Sequence, residues 1–266
     1  MFASPEIWAT PGVVAVAALY VTGVLRAWDL AGPGRVVGRR ELWCGLGGFV
    51  TLAIALSPTV DHRVHHSLTA HMTQHVVLMV IAAPLLALGG TVPALLWSLP
   101  RQWRPRGMAA WRRVSASRRG AGWARWGFGA VLVQATVMWV WHAPVLYDMA
   151  TRNELVHAFE HVSFVVTSTV FWWAVAGRAA GRFGAVLVLF VGALPGTALG
   201  AAMLLSPHPW YRAYPSLADQ QLAGVIMWSG TGIAYVVAAA ALFAAWLAAQ
   251  ERMHPGLAAA QIGSLE

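Results

Sequence analysis

Histidine is the residue type best equipped for chemistry here, and its ten copies are unevenly spaced. His71 and His75 stand four apart, as do His157 and His161. That interval places two side chains on one helical face, one turn apart. Paired imidazoles are a bidentate site for copper, zinc, iron or nickel, and an added thioether selects Cu(I). Met79 extends the first row by a turn, and Met72, Met149 and Met227 are further thioethers. His142 is another imidazole close to an apolar stretch. Asp61, Asp148, Glu154, Glu160 and Asp219 are the acids placed to orient rings by hydrogen bonding. The metal candidates are therefore His71, His75, His157 and His161, followed by His142, Met79 and Met227. Facing histidines from two helices are also a bis-histidine haem set, and that alternative stays open. Solitary His208 and His254 suit interfacial hydrogen bonding better than ligation, and a Met on an apolar helix usually packs.

Other chemistries lack their residues. A single cysteine, Cys44, excludes an internal disulfide, a CxxC pair and a cysteine metal site. No GxSxG, Walker loop, dinucleotide fingerprint or HExxH occurs. No enzymatic activity is expected.

The elements that position these histidines follow from composition. The chain is 58% hydrophobic and 11% charged over 266 residues, whereas a soluble domain carries about 25% charged residues. Seven apolar stretches, each of about membrane-crossing length, run near Ala9–Leu25, Leu42–Val60, His71–Trp97, Trp123–Trp141, Leu155–Ala176, Phe183–Leu205 and Gln221–Leu247. They lack the period-two alternation of barrel strands, so each must satisfy its own backbone as a helix. The expected fold is all-α, a polytopic membrane bundle of seven transmembrane helices. Residues 1–250 form one domain, and 251–266 are a loose cytoplasmic tail.

Arginine orients the bundle. The net charge is +8, and every basic residue is Arg. Fifteen of the eighteen fall in alternate loops, after the first, third, fifth and seventh stretches, and three (Arg63, Arg152 and Arg212) on the opposite side. This predicts the N-terminus outside and the C-terminus in the cytoplasm. On that topology nine of the ten histidines lie at the outer face, with only His254 cytoplasmic. The arginine- and tryptophan-rich loop from Ser98 to Gly122 reads as a cytoplasmic segment on anionic lipid, partly an interfacial helix. No nucleic-acid module is visible. Tryptophans near segment ends, Trp172 and Trp173 among them, read as interfacial anchors. Pro84 and Pro195 should disturb their helices, and the Gly192–Gly200 run permits close packing.

Several motifs together resemble the CtaG-type cytochrome c oxidase assembly factors. They are His71-Met-Thr-Gln-His75 running into Ala83-Pro-Leu-Leu-Ala-Leu-Gly89, Trp141-His-Ala-Pro144 with Leu146-Tyr-Asp148, His157…Glu160-His161, Leu199-Gly200, and Asp219-Gln-Gln221…Gly224…Met227-Trp228. The resemblance implies a seven-helix protein of the bacterial plasma membrane that helps a haem–copper oxidase mature, acting on an oxidase subunit at its copper site. Copper would then be handled by His and Met, with Cu(I) the form that thioethers favour. A haem-binding electron-transfer protein is the alternative. A copper permease ranks last, because only Met79 and Met227 continue inward from the outer cluster.

Overall fold

The computed structural model describes residues 6–118, 122–176 and 181–253, and shows only helices and their connections. Arg119, Arg178, His254 and most of the expected tail lie outside the described residues. Helix α1 (Glu6–Ala31) runs to Gly32, whose φ of 92° ends it. Helix α2 (Arg39–Ala55) begins where the Gly38 N–H donates to the Glu41 carboxylate at 2.7 Å. It is followed at a 52° bend by α3 (Pro58–Val64), whose leading proline has a fixed φ suited to a first turn.

The third apolar stretch departs from its expected form. It is not one helix over His71–Trp97. It begins at Leu68 as α4 (Leu68–Val77), passes through a π-turn at Leu78–Ala82, continues as α5 (Ala83–Leu88), and breaks before α6 (Thr91–Ser98). The break is at Gly90, which takes the left-handed conformation with φ 59°. Gly89 beside it sits so close to α2 that an added Cβ would lie 2.5 Å from the Gly45 Cα.

Pro84 accounts for the π-turn. Proline has no N–H and its ring collides with the carbonyl four residues back, so the chain must accommodate an irregular turn. The Ala83 N–H bonds Leu78 O, five residues back, which leaves the Met79 carbonyl without its usual helical partner. The Trp172 indole N–H takes that carbonyl at 2.9 Å. Trp172 is therefore buried and holds the π-turn, rather than anchoring the interface as its place in the sequence suggests.

The Ser98–Gly122 loop contains a helix, α7 (Arg104–Ser117), with no buried residues. Helix α8 (Gly122–Trp141) turns by 75° into α9 (Pro144–Ala150). Helix α10 (Glu154–Val175) starts at Asn153, whose side-chain oxygen accepts from the Leu155 and Val156 N–H groups at 3.0 and 3.2 Å. Helices α11 (Gly181–Leu205) and α12 (Leu217–Met253) pack backbone to backbone at Gly200 and Gly224.

All seven expected stretches thus fall on helices. Among the described residues four helical rods, Thr10–Ala31, Leu68–Leu88, Gly184–Leu205 and Leu217–Ala248, are long and apolar enough to cross a membrane. The count becomes six if the bent pairs α2–α3 and α8–α9 are each one crossing. Helix α10 has 22 residues, and His157, Glu160 and His161 in its first half lower its apolarity. Large apolar side chains such as Leu132, Phe190, Ile233 and Val236 point outward, while His71, Gln74, His75, His157, Glu160 and Gln220 are buried. An apolar exterior around a polar interior is the distribution a lipid solvent selects.

Candidate metal centre

Two helices supply the four central imidazoles. His71 and His75 lie one turn apart on α4, their ring centroids 4.4 Å apart, and His157 and His161 repeat this on α10 at 4.2 Å. Crossing of α4 and α10 puts His71 5.1 Å from His157 and His75 5.3 Å from His161, ring to ring. One nitrogen from each of the four lies within 4.8 Å of the others, and all four residues are buried. An ion bound at about 2.0–2.1 Å from each nitrogen needs a group of this size, slightly contracted.

The start of α4 is held from outside its own chain segment. Ser67 accepts from the Ala70 N–H at 3.3 Å in the usual capping manner. Asp219, in the first turn of α12, then accepts from the Leu68 N–H at 2.6 Å, the Thr69 N–H at 3.2 Å, and the Ser67 and Thr69 hydroxyls at 3.0 and 2.6 Å. A carboxylate at a helix N-terminus also complements the helix dipole. His71 therefore sits one turn beyond a fixed point.

Two tyrosines meet Nδ1 of His71. The Tyr214 hydroxyl donates its one proton to Val64 O at 2.7 Å, so towards His71 Nδ1, 3.3 Å away, it accepts. Burial, then the Glu160, Asp219 and Asp61 carboxylates, push the Tyr214 hydroxyl well above its ordinary range and keep it protonated. The Tyr147 oxygen lies 2.7 Å from the same nitrogen. Binding an ion through Nε2 would place the ring proton on Nδ1, where the tyrosine oxygens can accept it. That Nε2 is 3.2 Å from Nε2 of His157, inside the group.

Glu160 supplies the carboxyl group of the site. It is fully buried, and its Oε1 lies 3.8 Å from His75 Nε2. Neither carboxylate oxygen, neither nitrogen of His75, nor Nε2 of His161 has a hydrogen-bond partner among the described residues. Buried polar atoms left in this way are unusual in native proteins. A cation held by the imidazoles beside Glu160 would satisfy them, so this donor set fits a metal.

The remaining candidates lie as follows. His142 is buried next to the group, its ring 6.0 Å from that of His75. Met79 and Met227 are buried in the apolar cluster that wraps the site, and the thioether that meets an imidazole is that of Met72, 3.3 Å from His142 Nε2. Of the nearby acids, Glu160 approaches a central imidazole, that of His75. Asp61 pairs with exposed His65 at 3.3 Å, and Asp148 accepts from the Arg212 N–H at 3.1 Å. His62, His65, His66 and His208 are exposed. Sequence spacing did not reveal Tyr214 as a partner of His71; a tyrosine in a long connection carries no periodic signal.

An apolar helical bundle enclosing imidazoles and a carboxylate defines a polytopic membrane protein with a buried histidine centre. Residues 18–249 match the family described as cytochrome c oxidase caa3 assembly factor, and the chain belongs to that family. It is also similar to an uncharacterized protein of Mycobacterium leprae, 28% identical over 254 residues, covering 88% of this chain and 38% of that protein. An uncharacterized protein of Mycobacterium bovis is 28% identical over 235 residues, covering 81% of this chain and 35% of its own length. The chain thus spans little more than a third of the curated relatives it matches. No solved structure matches it.

Proposed function

We propose that this protein is a non-enzymatic assembly factor that holds copper near the outer membrane face and passes it to a subunit of a haem–copper oxidase. The observation that carries this reading is the convergence of His71, His75, His157 and His161 with Glu160 beside them. Those residues would hold the ion, and imidazole is a ligand that copper accepts. The ion is cargo here, so a buried site at the outer ends of two helices is more useful than an exposed one that loses it to water.

The topology that serves this role is seven crossings in the bacterial plasma membrane, with α10 as the seventh, the N-terminus outside and the C-terminus cytoplasmic. Its support is the fifteen-to-three arginine bias and the length of α10. Residues up to about 250 then act as one domain in contact with lipid.

A bis-histidine haem suits this packing poorly. The His71 and His157 nitrogens approach to 3.2 Å, and Tyr147 and Tyr214 crowd the same rings, leaving no slot for a planar macrocycle. A permease would need ligands that continue inward, and Met79 and Met227 are instead embedded in apolar packing.

The test is copper content after anaerobic Cu(I) loading of the purified protein, beside His71→Ala/His75→Ala. Wild type should retain copper and the double variant should lose most of it. Wild type without copper would overturn the metal reading. A Soret band in protein made with ample haem would revive the haem alternative. Normal oxidase activity in a gene-deletion strain would overturn the client assignment.

A further inference from the structure

Beside the four imidazoles, a nitrogen and a sulfur face each other with no hydrogen between them. His142 closes α8, and its Nδ1 lies 2.7 Å from the Met138 carbonyl oxygen. A carbonyl only accepts, so Nδ1 carries the ring proton and Nε2 of the neutral ring presents a lone pair. That lone pair meets the Met72 sulfur at 3.3 Å. A thioether has no proton to donate. Both residues are buried, Met72 completely, so water is not at hand to separate them.

Two facing electron pairs are unfavourable in a dry interior. They are also a donor set of one imidazole and one thioether, which suits a soft cation. The surroundings hold both halves in place. The Tyr211 hydroxyl donates to the His142 carbonyl at 3.1 Å, and Phe164 packs against the His142 and His75 rings at 6.1 and 4.8 Å. His75, with both nitrogens unpartnered, stands between this pair and the remaining imidazoles.

We propose that Met72 and His142 form a second metal site, sulfur-containing and selective for Cu(I), adjoining the four-imidazole site through His75. This rests on the reading that the imidazoles handle copper and adds the oxidation state. Four imidazoles and a carboxylate accept zinc as well as copper. A thioether next door discriminates for the soft monovalent ion. No electron transfer is involved.

The experiment loads the full chain anaerobically with Cu(I), and in a separate arm with Zn²⁺, and records metal content and X-ray absorption fine structure. Wild-type copper should show a sulfur neighbour and bound zinc should show none. Met72→Leu, a volume-conserving change that a packed core tolerates, should keep zinc, lose the sulfur signal and bind Cu(I) on the order of tenfold more weakly. His142→Gln attacks the other half of the pair and should also lose the sulfur signal. Copper bound without sulfur in wild type, or a sulfur signal that survives both substitutions, overturns the second site and leaves the four-imidazole reading standing. Wild type that binds no copper overturns both.

Discussion

Replacing Asp219 tests whether the buried centre depends on a residue distant from it in sequence. The Asp219 carboxylate accepts four hydrogen bonds from the first turn of α4: the Leu68 and Thr69 N–H groups and the Ser67 and Thr69 hydroxyls. A hydrogen bond to a charged group is worth about 1.5–3 kcal/mol when fully buried, and loss of a helix cap typically costs about 1 kcal/mol. This site is partly exposed, so water replaces much of what is lost, and the expected net cost of Asp219→Ala is about 2 kcal/mol. Asp219→Asn keeps the volume but turns an amide donor towards either Leu68 or Thr69, and should cost nearly as much. His71 lies two residues past Thr69, so a frayed first turn must be restored when metal binds. About 2 kcal/mol charged to binding weakens affinity roughly 30-fold. Thermal unfolding in detergent and competitive Cu(I) titration read the two effects separately. A lower unfolding temperature with unchanged copper affinity would show that Asp219 stabilises without positioning His71. No change in either would refute the pinning of α4 altogether.

Two further perturbations probe the frame. Gly200→Ala puts a Cβ 2.7 Å from the Gly224 carbonyl oxygen and 2.9 Å from the Trp228 nitrogen, so backbone must move. The expected loss is about 3 kcal/mol, the upper part of the overpacking range, while Gly129→Ala, with nothing within 4 Å of the new Cβ, should be neutral or slightly stabilising in the same melt. Trp172→Phe removes the donor to the Met79 carbonyl. An unsatisfied buried carbonyl costs about 1–3 kcal/mol, so the unfolding temperature should fall; unchanged stability would mean the π-turn needs no outside donor.

Much of the site is legible in the amino-acid sequence. The i, i+4 spacing of both histidine pairs is a local property, since one turn of any helix puts such residues on one face. Glu160 is visible there as an acid beside that face. What spacing cannot say is which thioether matters. Met79 continues the row of His71 and His75 along the helix, yet it is the sulfur of Met72 that meets His142, because the end of α8 brings His142 to that side chain. The single helix expected over His71–Trp97 fails for a related reason. Its apolar run is unbroken, but Pro84 and Gly90 change backbone geometry without changing hydropathy.

Composition and spacing establish the class of solvent and the local helical faces. Apolar runs of about 20 residues must be helices in lipid. Folding alone brings the histidines of α4 and α10 face to face, sets a carboxylate from α12 against the start of α4, and places Tyr147 and Tyr214 against His71 Nδ1. These are contacts between residues dozens to more than a hundred positions apart. Periodicity reports what lies along one helix; which helix stands opposite is set by the packing of all of them.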